Sequence, residues 1–174
     1  MRRLALLLAL ALAPAPALAQ ADDLLECATA RVTPAFRDKI ADAMLAEESE
    51  EGDALFAELA RVADLCATRF ALPADKGAAY FEYTVARLPH DAFTARLGQA
   101  GISAAVLDEA LDFGAGRTNP VIAGDLAPEH IGKLVAALAA NGVDVEALPQ
   151  QSWELVGAYA AATSLMWQSL AKLP

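Results

Sequence analysis

The chain has 174 residues, with 23 Asp and Glu against 13 Lys and Arg, a formal net charge of −10 and 56% hydrophobic residues. That acid excess works against binding nucleic acid, which depends on Lys and Arg releasing counterions from phosphates, and against adsorption to anionic lipid. A single domain of this size buries roughly 70% of the surface that its unfolded chain exposes, so it needs no metal or cofactor to hold a core.

Arg2 and Arg3 precede the apolar run from Leu4 to Leu12, and Pro14, Pro16 and Ala17-Leu18-Ala19 follow it. This order of basic, apolar and small residues reads as a secretory signal peptide over residues 1–19, with cleavage after Ala19. The apolar run falls short of the roughly 20 residues that a spanning helix needs, and no second uncharged apolar run occurs, so the chain is not expected to be embedded in a membrane. Glu26 directly before Cys27 speaks against a lipoprotein signal. The mature chain, residues 20–174, then carries 23 acidic and 11 basic residues. Its expected location is periplasmic or extracellular.

Alanine and leucine dominate, Val, Ile and Thr are sparse, and charges recur at helical intervals, which predicts an all-α chain. The expected fold is a compact single-domain bundle of seven to eight helices with the C-terminal helix at its centre. Asp22 or Asp23 caps a first helix through Cys27 and Arg31, and Thr33-Pro34 starts a second carrying Phe36, Ile40, Ala43 and Met44 on one side. After the acidic run Glu47, Glu48, Glu50, Glu51 and Asp53, Ser49 caps a third helix. Its apolar stripe is Leu55, Leu59, Val62, Cys66 and Phe70. Cys27 and Cys66, the only cysteines, are expected to form a disulfide, the usual fate of a cysteine pair in an exported chain.

Pro73 ends the third helix, and Asp75 starts a fourth with Ala78, Phe81, Val85 and Leu88 inward and Tyr80 and Tyr83 flanking. Leu88-Pro89-His90-Asp91 reads as a stop and a new start, giving a short fifth helix that closes at Gly101. Ser103 is the expected cap of the sixth, with Ile102 stapled onto Leu107. Gly114 to Ala127 lacks helical periodicity and is expected to be a flexible connection, with one turn at Pro120 to Ala123. Pro128 opens a seventh helix with Ile131, Leu134, Val135 and Leu138 inward, ended by Asn141-Gly142. The last helix runs from about Pro149 or Gln150 to Ala171. Phe93 to Leu107 also aligns without gaps on Leu134 to Leu148, an echo that ordinary helix-corner chemistry explains without a duplication.

No stretch carries an ordered catalytic motif. His90 and His130 each sit beside an acid at an expected helix start and read as solvated; a metal site would need the two corners to meet, because neither has ligands spaced for one helical face. The acidic run Glu47 to Asp53 lacks the ligand spacing of a calcium loop and reads as a solvated corner able to face a basic partner. Arg117, Thr118 and Asn119 form a candidate ligand loop beside glycine amides, without the Gly-Lys-Ser/Thr ending of a phosphate loop. Three functional classes follow: an acidic module that binds a basic protein, for example as an inhibitor; a small-ligand carrier with an interhelical pocket and the loop as lid; and a hydrolase using carboxylates with His90 or His130. The first ranks highest, with no cofactor.

Overall fold

A computed structural model describes residues 16–46, 48–123 and 126–173. Residues 1–15, most of the expected signal peptide, lie outside these. Among the described residues seven α-helices and one 3-10 turn make up the regular structure, with no strand. They are α1 (Pro16–Cys27), the turn Thr29–Arg31, α2 (Pro34–Leu45), α3 (Glu50–Arg69), α4 (Ala74–Gln99), α5 (Ala104–Leu111), α6 (Pro128–Ala140) and α7 (Gln150–Leu170). The expected cleavage point after Ala19 falls inside α1, and Asp22 and Asp23 stand within that helix rather than capping it.

α4 and α7 form the axis of the bundle. They run antiparallel, since Lys172 meets Glu82 near the start of α4 while Tyr159 meets His90 further along it. Around the second half of this pair α5 and α6 close the main core, in which Phe93, Leu97, Ile102, Leu107, Leu134, Leu138, Val156 and Tyr159 are all essentially inaccessible. A second core holds the disulfide with Tyr80, Tyr83 and Ala63, and a third, under α2 and α3, centres on Ile40, Leu59 and Leu88. α7 supplies Leu155, Val156, Tyr159, Ala160, Ala162, Thr163, Ser164 and Ser169 to the interior, which makes it the central helix expected from its breadth of apolar positions.

The largest departure from the sequence reading is α4. Instead of two helices parted at Leu88 to Asp91, one helix of 26 residues runs straight through Pro89. A proline inside a helix loses one hydrogen bond and costs about 3 kcal/mol. Here Leu88, Pro89, Ala92, Phe93 and Leu97 are all buried, and each large apolar side chain gains about 1.5–3 kcal/mol on burial. Burial on both sides of the proline outweighs the lost bond. The inward face of α4 is also rotated from the expected stripe: Ala78 is exposed, while Tyr80 and Tyr83 are buried. Tyr80 tolerates this because its hydroxyl donates to the Leu24 carbonyl at 2.9 Å. In α6, Ile131 is exposed rather than inward.

The helix corners repeat one device. At Gly101 and Gly142, with φ of 75° and 80°, the next amide reaches back to the carbonyl five residues earlier: Ile102 to Leu97 at 2.9 Å and Val143 to Leu138 at 3.1 Å. This paired closure is the Schellman motif, and the sequence echo between the two segments is this shared corner. Leu72 to Ala67 and Phe113 to Asp108, both at 2.9 Å, close the same way around Ala71 and Asp112, which hold φ of 50° and 57°. Thr33 and Ser49 cap α2 and α3 through their hydroxyls as expected. Ser103 does not: its carbonyl, not its hydroxyl, receives the amides of Val106 and Leu107.

Cys27 and Cys66 are joined, their Cα atoms 6.0 Å apart. The bond ties the end of α1 to the buried stripe of α3, beside Tyr80. Closing a loop across this 39-residue separation removes about 4 kcal/mol of unfolded-chain entropy. No helix among the described residues is long and apolar enough to cross a membrane.

Candidate functional site

Neither histidine is solvated, and only His130 stands at a helix start. His90 lies in the middle of α4 because that helix continues through Pro89, and only 19% of its side chain is exposed; His130, in the first turn of α6, keeps 13%. The Nδ1 atom of each is buried without a hydrogen-bond partner. His90 Nδ1 stands 3.6 Å from Asp91 Oδ1, and His130 Nε2 3.8 Å from Glu129 Oε1. Both separations are too long for a hydrogen bond.

His90 belongs to a polar seam that links five helices, α1, α2, α4, α5 and α7. Its ring lies 5.0 Å from the Tyr159 ring of α7, and the Tyr159 hydroxyl donates to Asp108 Oδ1 of α5 at 2.8 Å. On the other side, Asp91 accepts from Arg87 and lies 3.9 Å from Arg37. Arg87 in turn stands 4.0 Å from Glu26, whose carboxylate accepts from Thr29 at 2.8 Å. Arg37 donates to the Thr29 carbonyl at 3.3 Å. His90 and Arg87 beside Asp91 hold its carboxyl below the usual range. Burial, then the neighbouring Asp108 carboxylate, pushes the Tyr159 phenol far up.

Chemically this seam is a structural brace. Its ions are paired with one another, and Tyr159 holds its proton against Asp108. Of four surface depressions formed by the described residues, none is lined by His90, His130, Tyr159 or Asp108. Among the described residues no group of three or more His, Cys, Asp and Glu is placed to hold a metal ion.

The expected acidic corner lies between α2 and α3. Glu47 is outside the described residues. Glu48, Glu50, Glu51 and Asp53 are all exposed, and the last three occupy the first turn of α3, where the helix dipole favours negative charge. A shallow depression of about 230 Å³ opens at this corner, with Lys39, Asp42, Ser49 and Glu51 among its lining. Asp42 is held by Arg96 at 2.8 Å. On the neighbouring side of the α2 terminus a second groove, of about 460 Å³, runs between Met44, Leu45 and α7, with Trp153 as its wall. The sequence reading assigned Met44 and Trp153 to the core. They are only half buried, because the end of α2 stops short of closing over α7.

The loop after α5 is built rather than loose. The Asn119 amide accepts from Gly114 N at 2.8 Å and donates to the Gly114 and Arg117 carbonyls at 2.9 and 3.2 Å. Thr118 N donates to the Asp112 carboxylate at 3.0 Å, which with Arg117 keeps that carboxyl below its usual range. Ser164 of α7 accepts from Ile122 N and donates to the Pro120 carbonyl, both at 2.8 Å, and Gln168 donates to the Asn119 carbonyl at 2.7 Å. Ile122 is buried in the main core. The expected turn at Pro120 to Ala123 is absent; those residues have no regular structure and are tied to α7 through Pro120 and Ile122. Of the candidate ligand-loop residues, Asn119 and the Thr118 amide are committed to this framework, and Arg117 leans towards Asp112 at 3.9 Å. The anchors Ser164 and Gln168 carry no sequence signal, being polar residues of a helix like any others.

Comparison with known proteins finds no matching family model, no similar curated protein and no similar solved structure. The functional reading therefore rests on the chain alone.

Proposed function

We propose that this protein is an exported binding module that captures a basic protein partner through the corner between α2 and α3. The observation that carries this reading is the row of exposed carboxylates, Glu48, Glu50, Glu51 and Asp53, held on the start of a capped helix. Net charge supports it: the chain has ten more acids than bases before any leader is removed and twelve more after. Export is supported by the basic and apolar N-terminus and by the Cys27–Cys66 bond, a linkage that persists in oxidising compartments. Carboxylates on a rigid scaffold steer a cationic partner and fix its register more than they add raw affinity.

A carrier would call for an enclosed apolar cavity, whereas the four depressions described above are open at the surface. A hydrolase would call for His90 or His130 in a cleft, and neither lines any of these four. The test is affinity capture by the oxidised protein from the exported fraction of its own cells. A single basic partner should be retained at low salt and released at about 0.5 M salt, where the Debye length shrinks to a few ångströms. The triple charge reversal Glu48→Lys, Glu50→Lys, Glu51→Lys should abolish the capture. An unchanged yield with that variant would remove the basis of the reading.

A further inference from the structure

The exposed apolar surface beside the acidic corner has a definite shape. Leu45, the last residue of α2, is 43% exposed, and Met44, Leu126 and Trp153 wall the groove with it. Its floor on α7 is made by small residues, among them Gly157 and Ala161. A Cβ built on Gly157 would meet nothing within 4 Å, so no internal contact asks for glycine there. Glycine inside a helix is otherwise unfavourable relative to alanine. What its absent side chain does is deepen the groove.

Charge decides what kind of apolar segment belongs there. No Lys or Arg lines the groove, and Gln150 and Glu154 stand on its rim. The chain leaving Leu45 reaches exposed Glu48 within three residues and then Glu50, Glu51 and Asp53. An apolar trough with small residues on its floor, with Glu154 in its lining and the acidic corner following Leu45 in the chain, complements a helix with one apolar face and a cationic edge. We propose that this groove docks the apolar face of a cationic amphipathic helix of the partner, with Trp153 and Leu45 as its anchoring walls. The inference rests on the reading of the protein as an acidic binding module and adds the chemistry of the docked segment. Tryptophan in a partly buried cleft is the residue type that most often dominates such contacts.

The test compares two synthetic peptides of about 14 residues, near four helical turns. One is an amphipathic helix of leucine and lysine; the other carries the same charge with serine in place of leucine. Calorimetric titration of the oxidised chain should show the leucine peptide binding the tighter. Gly157→Leu, which fills the floor, and Leu45→Gln, which strips one wall, should each weaken the leucine peptide about tenfold, the equivalent of one strong contact, and leave the serine peptide unchanged. A Cβ at Gly157 meets nothing within 4 Å and Leu45 is 43% exposed, so circular dichroism and thermal melting should show both variants folded. If both peptides bind alike and neither variant matters, while Glu48→Lys, Glu50→Lys, Glu51→Lys weakens both, the groove proposal is overturned and the acidic module stands. If neither peptide binds at low salt, the acidic-module reading fails and takes the groove with it.

Discussion

Tyr159 and Asp108 meet across the core boundary, the buried phenol of α7 donating to a half-buried carboxylate of α5 at 2.8 Å. The pair is asymmetric, because Asp108 retains access to water and Tyr159 does not. Tyr159→Phe removes a donor and leaves a carboxylate that can rehydrate, for a loss of about 1 kcal/mol; Asp108→Ala strands a buried hydroxyl and should cost about 2 kcal/mol. Urea denaturation of the two variants measures the difference. The reverse order would show that the bond is not the main contact of either group.

The same phenol contributes to the alkaline limit. Burial raises the titration of Tyr80, Tyr83 and Tyr159 alike. A phenol whose folded-state pKa lies above its unfolded value keeps its proton in the native state while the unfolded chain loses it. Stability is then complete below about pH 10, the unfolded value, and falls as pH rises past it. Melting temperature should drop through this window, and less steeply in Tyr159→Phe. On the acid side Asp91 and Glu82 are lowered, the first by His90 and Arg87, the second by Lys172 and Ser169. Their contribution is present above about pH 4–5 and lost as pH falls through their depressed values. Asp91→Asn should flatten the acid limb of the same melting curve.

Ala71 holds φ of 50° at the end of α3, where a side chain is strained and glycine is not. Ala71→Gly should raise stability by about 0.5–1 kcal/mol, and Gly142→Ala, at the equivalent corner with φ of 80°, should lower it by about 1 kcal/mol. Thermal melts of the two single variants read this directly. A stabilised Gly142→Ala would mean that the left-handed corner is not kept in solution.

Asn119 is the keystone of the loop after α5. Asn119→Ser keeps a small polar group but cannot both accept from the Gly114 amide and donate to two carbonyls. Limited proteolysis should cut the variant within 114–123 well before the parent chain, with a stability loss of about 2 kcal/mol for the bonds broken. Equal cleavage rates would sink the account of the loop as a built element.

Replacing both cysteines, Cys27→Ala with Cys66→Ala, should lower stability by about 4 kcal/mol on the loop-entropy account. Chemical denaturation of the oxidised, reduced and doubly substituted chains separates the bond from the packing of its sulfurs. If reduction alone costs nothing, the bond does not restrain the unfolded chain.

What the sequence determined by itself was local or compositional. Helical periodicity set the all-α class, because apolar spacing at three and four residues is a property of each segment. Thr33-Pro34, Ser49 and Asn141-Gly142 marked their corners correctly, since a cap acts within four residues of itself. Two cysteines, one in each of two neighbouring helices, were enough to name their bond. Only tertiary packing decided the rest. Pro89 looked like a stop because its local cost is fixed, yet the burial of Leu88 and Phe93 against neighbouring helices exceeds that cost. His90 and His130 looked exposed because exposure depends on what lies above a residue, and that is set by helices distant in sequence. The loop from Gly114 looked loose because its bonds go to Ser164 and Gln168, more than forty residues away. The groove at Trp153 could not be read at all: periodicity tells which residues are apolar, and only the length of α2 against α7 tells which of them remain uncovered.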